Sequence, residues 1–154
     1  MEEKELRQEC LKLMETADMA YLSTIDSDGF PQTRVMGNLR NTKQYPGLKS
    51  MFSEHGEDFL IYLTTSASSG KMAQIRANPK VSVYYSNPAE FHGMMVAGGV
   101  EIVADTELKK QIWQDGWEMY WPDGPDGPEY TVLRLLADFA KGWYKEGPFG
   151  FELK

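Results

Sequence analysis

The chain has 154 residues, 42% of them hydrophobic and 12% aromatic, with one cysteine and a formal net charge of −7 at neutral pH. This length suits a single domain over 1–154 with a sizeable core, and no apolar run approaches the roughly 20 residues that a membrane helix needs. The start, MEEKELRQEC, is charged rather than signal-like, so a cytoplasmic protein is expected, and a lone Cys10 rules out an intramolecular disulfide.

Charge is distributed unevenly: residues 1–18 carry −3, 19–100 carry +1, 101–130 carry −6 and 131–154 carry +1. Without a basic stripe to displace counterions, extended nucleic-acid binding is disfavoured. One small anion is compatible with the slight basic excess of the 19–100 segment.

In chain order, Glu2 to Ala17 has the spacing of an amphipathic helix, with Leu6, Cys10, Leu13 and Ala17 on the inward face. Cys10 is therefore expected to be a core thiol. MAYLSTI and PQTRVMGNL read as strands joined by the hairpin signal DSDG, and alternation puts Arg34 on the same face as Gln32 and Met36. Further strands are predicted at 58–64, 80–86, 93–103, 131–139 and 142–153. Asp105 is placed to cap a helix running to about Trp117. Seven short strands with few helices between them predict a mainly β fold with flanking helices, closed or nearly closed as an antiparallel barrel. Gly98-Gly99 inside a strand fits a barrel bend or a close backbone approach.

Trp121 to Pro128, WPDGPDGP, is punctuated by proline and glycine and reads as a surface loop or pocket lid. It lacks the ligand spacing of a calcium loop. The aromatic residues around it, Trp113, Trp117, Tyr120 and Trp121, are read chiefly as packing. His55 and His92 both adjoin glycine and are expected in loops, which argues against a zinc site. No GxSxG, HExxH or Walker-type motif supplies a nucleophile, metal or phosphate cradle of those kinds.

The segment TTSASSGKMAQIRANPKVSVYY, Thr64 to Tyr85, concentrates the chemistry. A strand end runs into a hydroxyl-rich turn and then a helix from Lys71 to Ala77, with Met72 and Ile75 on one face and Asn78-Pro79 ending it. A lysine in a first helical turn sits at the positive end of the helix dipole, where a cation is disfavoured by several tenths of a kcal/mol. A bound anion would relieve this. Free N–H groups, the hydroxyls of Thr65, Ser68 and Ser69, and the Lys71 ammonium supply donors suited to phosphate. The residues alone leave open a second reading, an ordinary serine-capped helix with Lys71 turned to solvent.

Three stretches, AYLSTIDSDGFPQTRVM, TTSASSGKMAQIRANPKVSVYY and GMMVAGGVEIV, together resemble the pyridoxamine 5'-phosphate oxidase-like FMN-binding split barrels, especially the small general stress protein branch. The resemblance spans most of the chain. It implies a split β-barrel that dimerises with FMN at the interface. It also implies that Arg34 and a Ser-x-Lys pair, Ser69 and Lys71, hold the FMN phosphate, with Thr64 and Thr65 beside them. The backbone of Arg34, Val35 and Met36 would lie against the flavin ring, and Trp143 would cover the flavin from the partner chain. Departures from the true oxidase are Leu39 in place of a basic residue, Gly93 in place of a glutamine, and a tail, GWYKEGPFGFEL, without the Arg and His pattern of the substrate grip. The expectation is a homodimeric FMN-binding flavoprotein, an oxidoreductase of unassigned substrate with no obvious acid or base. The alternatives are a flavin-binding protein that stores or senses its ligand, or a split barrel that uses deazaflavin or haem.

Overall fold

A computed structural model describes residues 1–153. Helix α1 (Glu3–Thr16) leads into the hairpin β1 (Met19–Ile25) and β2 (Pro31–Gly37). A short helix α2 (Lys49–Ser53), β3 (Ile61–Ser66), α3 (Gly70–Ala77), β4 (Lys80–Asn87) and β5 (His92–Ile102) follow. The chain ends with α4 (Thr106–Ile112), β6 (Tyr130–Tyr144) and β7 (Gly147–Glu152).

Among the described residues seven strands join one antiparallel sheet in the order β2-β1-β4-β5-β6-β3, with β7 also paired to β6. Strand β6 makes this possible. Its first half pairs with β3, its second half with β7, and its other edge carries β5 along most of its length. The sheet curls until its two ends, β2 and β3, touch without forming a ladder. That unzipped seam makes it a split barrel.

Inward positions of the curled sheet, among them Leu22, Val83, Met94, Val96, Leu63 and Leu133, are fully or nearly fully buried, and Cys10, Leu13 and Met14 of α1 pack against them. Each such aliphatic side chain contributes about 1.5–3 kcal/mol by leaving water. A second cluster, with Phe52, Tyr62, Trp121, Tyr130 and Ile112, lies beneath the segment that precedes β6. The end of β2 is pinned to α1: Asn38 Nδ2 donates to the carbonyls of Met14 and Ala17, and Asn41 Nδ2 donates to that of Ala17. These bonds satisfy carbonyls that the helix end leaves open.

Several boundaries differ from expectation. The break predicted between residues 139 and 142 does not occur, because Gly142 marks a close approach and not a turn: a Cβ there would lie 2.0 Å from the Gly93 carbonyl oxygen. Likewise Gly98 sits at a bulge, where a Cβ would meet Leu136 O at 2.1 Å. Asp105 caps α4 as expected, accepting from the N–H groups of Glu107 and Leu108, but the helix stops at Ile112, short of Trp117. Strand β3 begins at Ile61 instead of Asp58, after Phe59 takes a left-handed φ of 55°. Helix α2 had no periodic signal long enough to reveal it.

His92 is a further correction. It opens β5 and is buried, its ring edge-on to Tyr144 and Nε2 4.0 Å from Cys10 Sγ. Only His55 lies in a loop, where Nδ1 is 2.8 Å from Asp58 Oδ2.

Candidate functional site

Arg34 projects from β2 beside the open seam, on the same side of the strand as the buried Met36. Strand β1 and helix α3 fix its guanidinium. Nη1 donates to Thr24 Oγ1 at 2.8 Å and to the Gln32 carbonyl at 3.0 Å, while Nη2 lies 3.4 Å from Gln74 Oε1. Thr24 Oγ1 donates in turn to Gln74 Oε1, which completes a small network around the arginine. Burial lowers the Arg34 pKa from the ordinary guanidinium value.

Across the seam, β3 ends in the turn that starts α3. Ser69 occupies the N-cap position with extended backbone, yet its hydroxyl makes no capping bond. Instead Lys71 folds back and its Nζ donates to Ser69 Oγ and to Thr65 Oγ1, both at 2.7 Å. The solvent-turned lysine of the alternative reading therefore does not describe this chain. Burial, and secondarily the charge of Arg34, hold the Lys71 pKa below its ordinary range. The two cations thus lie near enough for the charge of Arg34 to act on Lys71, and among the described residues neither belongs to an ion pair. Such a pair raises the free energy of the empty site and favours an anion between them.

The sequence-predicted residues are distributed as follows. Arg34, Thr65, Ser69 and Lys71 converge at the seam, and Thr64 and Thr65 line a cavity of about 580 Å³ beside it. Met36 is buried, whereas Val35 is 57% exposed on the outward sheet face. Trp143 also faces outward, on β6 opposite Gly93, and its Nε1 donates to the Lys145 carbonyl at 2.7 Å. Ser68 leaves the expected donor set: its N–H and hydroxyl both bond Glu129 Oε2, at 3.2 and 2.7 Å.

Sequence reasoning did not find Thr24, Gln74 or Glu129. Gln74 is three positions beyond Lys71 and so shares its helix face, a usable signal. Thr24 lies on the strand paired to β2, reachable once the hairpin register is known. Glu129 comes from 61 residues away and carries no local signal.

The family model described as pyridoxamine 5'-phosphate oxidase matches residues 6–144 of this chain. The chain belongs to that family. By structure it is similar to a protein related to general stress protein 26 from Clostridium acetobutylicum, with a TM-score of 0.78 and 24% identity over 99% of this chain and 97% of the other. A pyridoxamine 5'-phosphate oxidase-related, FMN-binding protein from Nostoc punctiforme has a TM-score of 0.63 and 13% identity, covering 94% of this chain and 83% of the other. A heme-binding protein from Mycobacterium smegmatis has a TM-score of 0.67 and 13% identity, covering 95% of this chain and 57% of the other. Identities this low show a shared fold. No curated protein matches the chain by sequence. Among the described residues no helix is long and apolar enough to cross a membrane.

Proposed function

We propose that this member of the pyridoxamine 5'-phosphate oxidase family binds FMN and acts as a flavin-dependent oxidoreductase. The observation that carries the proposal is the convergence of Arg34 and Lys71 across the seam without a carboxylate partner among the described residues. Arg34, Ser69, Lys71 and Thr65 would hold the phosphate. Hydrogen bonds between charged groups are about twice as strong as neutral ones, and the Arg34 fork is preset by Thr24 and Gln74. The ring would extend along β2, over the backbone of Val35 and Met36 and beside Thr64.

Bound FMN supplies hydride or electron transfer; the protein supplies position and charge. Haem is less well matched. Of the two histidines, His92 is buried against Tyr144 and Phe149, and His55 is engaged with Asp58.

The same reading includes a homodimer. On the outward sheet face Val35 pairs with Tyr21 and Tyr21 with Tyr84, and these residues are 57%, 39% and 44% exposed. Met19, Phe91 and Trp143 add exposed apolar surface. A contiguous patch of this kind suits a subunit interface, across which Trp143 would approach the flavin of the partner subunit. Leu39, which is buried, and Gly93, whose space is taken by the Tyr84 hydroxyl, offer no grip for a phosphorylated vitamin substrate.

The test is the absorption spectrum of cofactor released from the purified protein by denaturation, followed by stopped-flow reduction of the loaded protein with NADH and NADPH. A flavin spectrum and donor-dependent bleaching support an FMN oxidoreductase. Flavin that no donor reduces would leave a binding protein without turnover, and a haem or deazaflavin spectrum would replace the cofactor.

A further inference from the structure

The cavity of about 580 Å³ beside the clamp has a chemistry that the phosphate site does not explain. Gly37, three positions along β2 from Arg34, lies at its edge, about 10 Å away at the usual strand rise of roughly 3.3 Å per residue. One wall is the end of β3, Thr64, Thr65 and Ser66; Thr65 Oγ1 accepts from Lys71 Nζ, and Thr64 is where the flavin ring would border the cavity. The opposite wall is aromatic: Tyr45, Trp117, Tyr120 and Trp121.

This wall is preset. Trp121 Nε1 donates to Ser66 Oγ at 3.0 Å, and its ring lies 5.6 Å from that of Trp117 and 5.2 Å from that of Tyr130. Tyr45 meets Trp117 edge-on at 6.4 Å, and burial, with a smaller contribution from Tyr120, pushes the Tyr45 hydroxyl pKa above its ordinary value. Tyr120 stands at the rim and is 62% exposed. Fixed aromatic faces lose little entropy on contact with a flat ligand.

Charge narrows the ligand further. Among the described residues no Lys, Arg, Asp or Glu side chain lines the cavity, so an ion inside it would have no charged side chain in its walls to pair with. Three of the four wall rings, Trp117, Tyr120 and Trp121, belong to the 101–130 stretch of net charge −6, which disfavours anions. Lys71, which reaches the cavity's β3 wall through Thr65 Oγ1, is assigned to the FMN phosphate above, and Lys109 lies behind the aromatic wall, over the Tyr130 ring.

We infer that this cavity binds an uncharged, planar aromatic molecule, placed to meet the flavin as its reaction partner; the placement rests on the FMN reading above. The hydroxyls of Ser66 and Tyr45 would orient its polar substituents, and Trp117 and Tyr120 would stack on its face.

Equilibrium dialysis of the full chain tests this with 1-naphthol as the neutral probe and naphthalene-1-sulfonate as the anionic one, with and without FMN. FMN affinity is titrated separately for each protein. The expected result is saturable binding of one 1-naphthol per chain in the FMN-loaded protein, with the sulfonate at least ten-fold weaker. Tyr120→Ala, at an exposed position, should weaken 1-naphthol at least five-fold and leave FMN affinity within two-fold. The inference is overturned if 1-naphthol shows no saturable binding, if the sulfonate binds as well, or if Tyr120→Ala weakens FMN instead, which would give the cavity to the flavin ring. Failure of the wild-type chain to take up FMN would overturn the cofactor reading, and 1-naphthol binding by the FMN-free chain would still decide the cavity.

Discussion

Ser69, the residue at the start of α3, accepts a hydrogen bond from Lys71 Nζ at 2.7 Å instead of capping the helix. The lysine is thereby held over the turn, where the helix dipole and Arg34 both oppose its charge. A phosphate dianion removes this conflict. Lys71→Ala should therefore weaken FMN by about 1.5–3 kcal/mol, the usual scale for a hydrogen bond to a charged group, and leave riboflavin nearly unaffected. Parallel fluorescence titrations with the two flavins check this, and equal losses for both would remove Lys71 from the phosphate.

The lowered Lys71 pKa gives the clamp a pH dependence. In the empty protein Lys71 loses its proton at a lower pH than an ordinary lysine, whose value is 10.5, and bound phosphate would pull that pKa back up. FMN binding then takes up a proton in the alkaline range between the two values, so affinity falls as pH rises through it. For folding of the empty protein the sign reverses: the unfolded chain holds more protons in the same range, and stability gains from this group as pH rises. Titrations of wild type and Lys71→Gln across alkaline pH should show a slope in FMN affinity for the first and a flatter line for the second.

The hairpin, the α3 turn and the places of Arg34, Thr65, Ser69 and Lys71 on them were readable in the sequence from local chemistry: DSDG for the turn, alternation for Arg34, and a hydroxyl-rich start for α3. A shared phosphate role for these residues was legible only through the resemblance to the split barrels. What escaped depends on distant partners. The continuity of β6 through Gly142 is set by the Gly93 backbone lying against it, and burial of His92 by Cys10 of α1 and Tyr144. Glu129 reaches the Ser68 turn only after the chain has closed the barrel. The Trp121–Pro128 loop was legible as a loop, but the cavity wall needed the ring positions of Trp117, Tyr120 and Tyr45.

Adjacent glycines should respond differently to the same substitution. A Cβ on Gly98 would lie 2.1 Å from the Leu136 carbonyl oxygen, whereas nothing lies within 4 Å of one on Gly99. Gly98→Ala is expected to cost about 1–3 kcal/mol through forced backbone shifts. Gly99→Ala should be within about 0.5 kcal/mol of wild type. Urea unfolding of both variants measures the difference, and similar midpoints would contradict the bulge geometry.

Cys10 should be chemically silent in the folded protein. It is fully buried, and burial, reinforced by Glu9, pushes its pKa up to about 12. Reaction with a thiol reagent at pH 8 is expected to follow global unfolding, rising steeply only with denaturant. Rapid labelling in native buffer would show that α1 opens independently of the barrel.

The most direct measurement of the central claim is a paired titration of the cofactor-free wild-type chain with FMN and riboflavin, read by flavin fluorescence and by the stoichiometry per chain. A phosphate clamp built from Arg34, Ser69 and Lys71 predicts one FMN per chain and riboflavin weaker by at least ten-fold. No uptake of FMN in excess, or equal affinity for the two flavins, would contradict it.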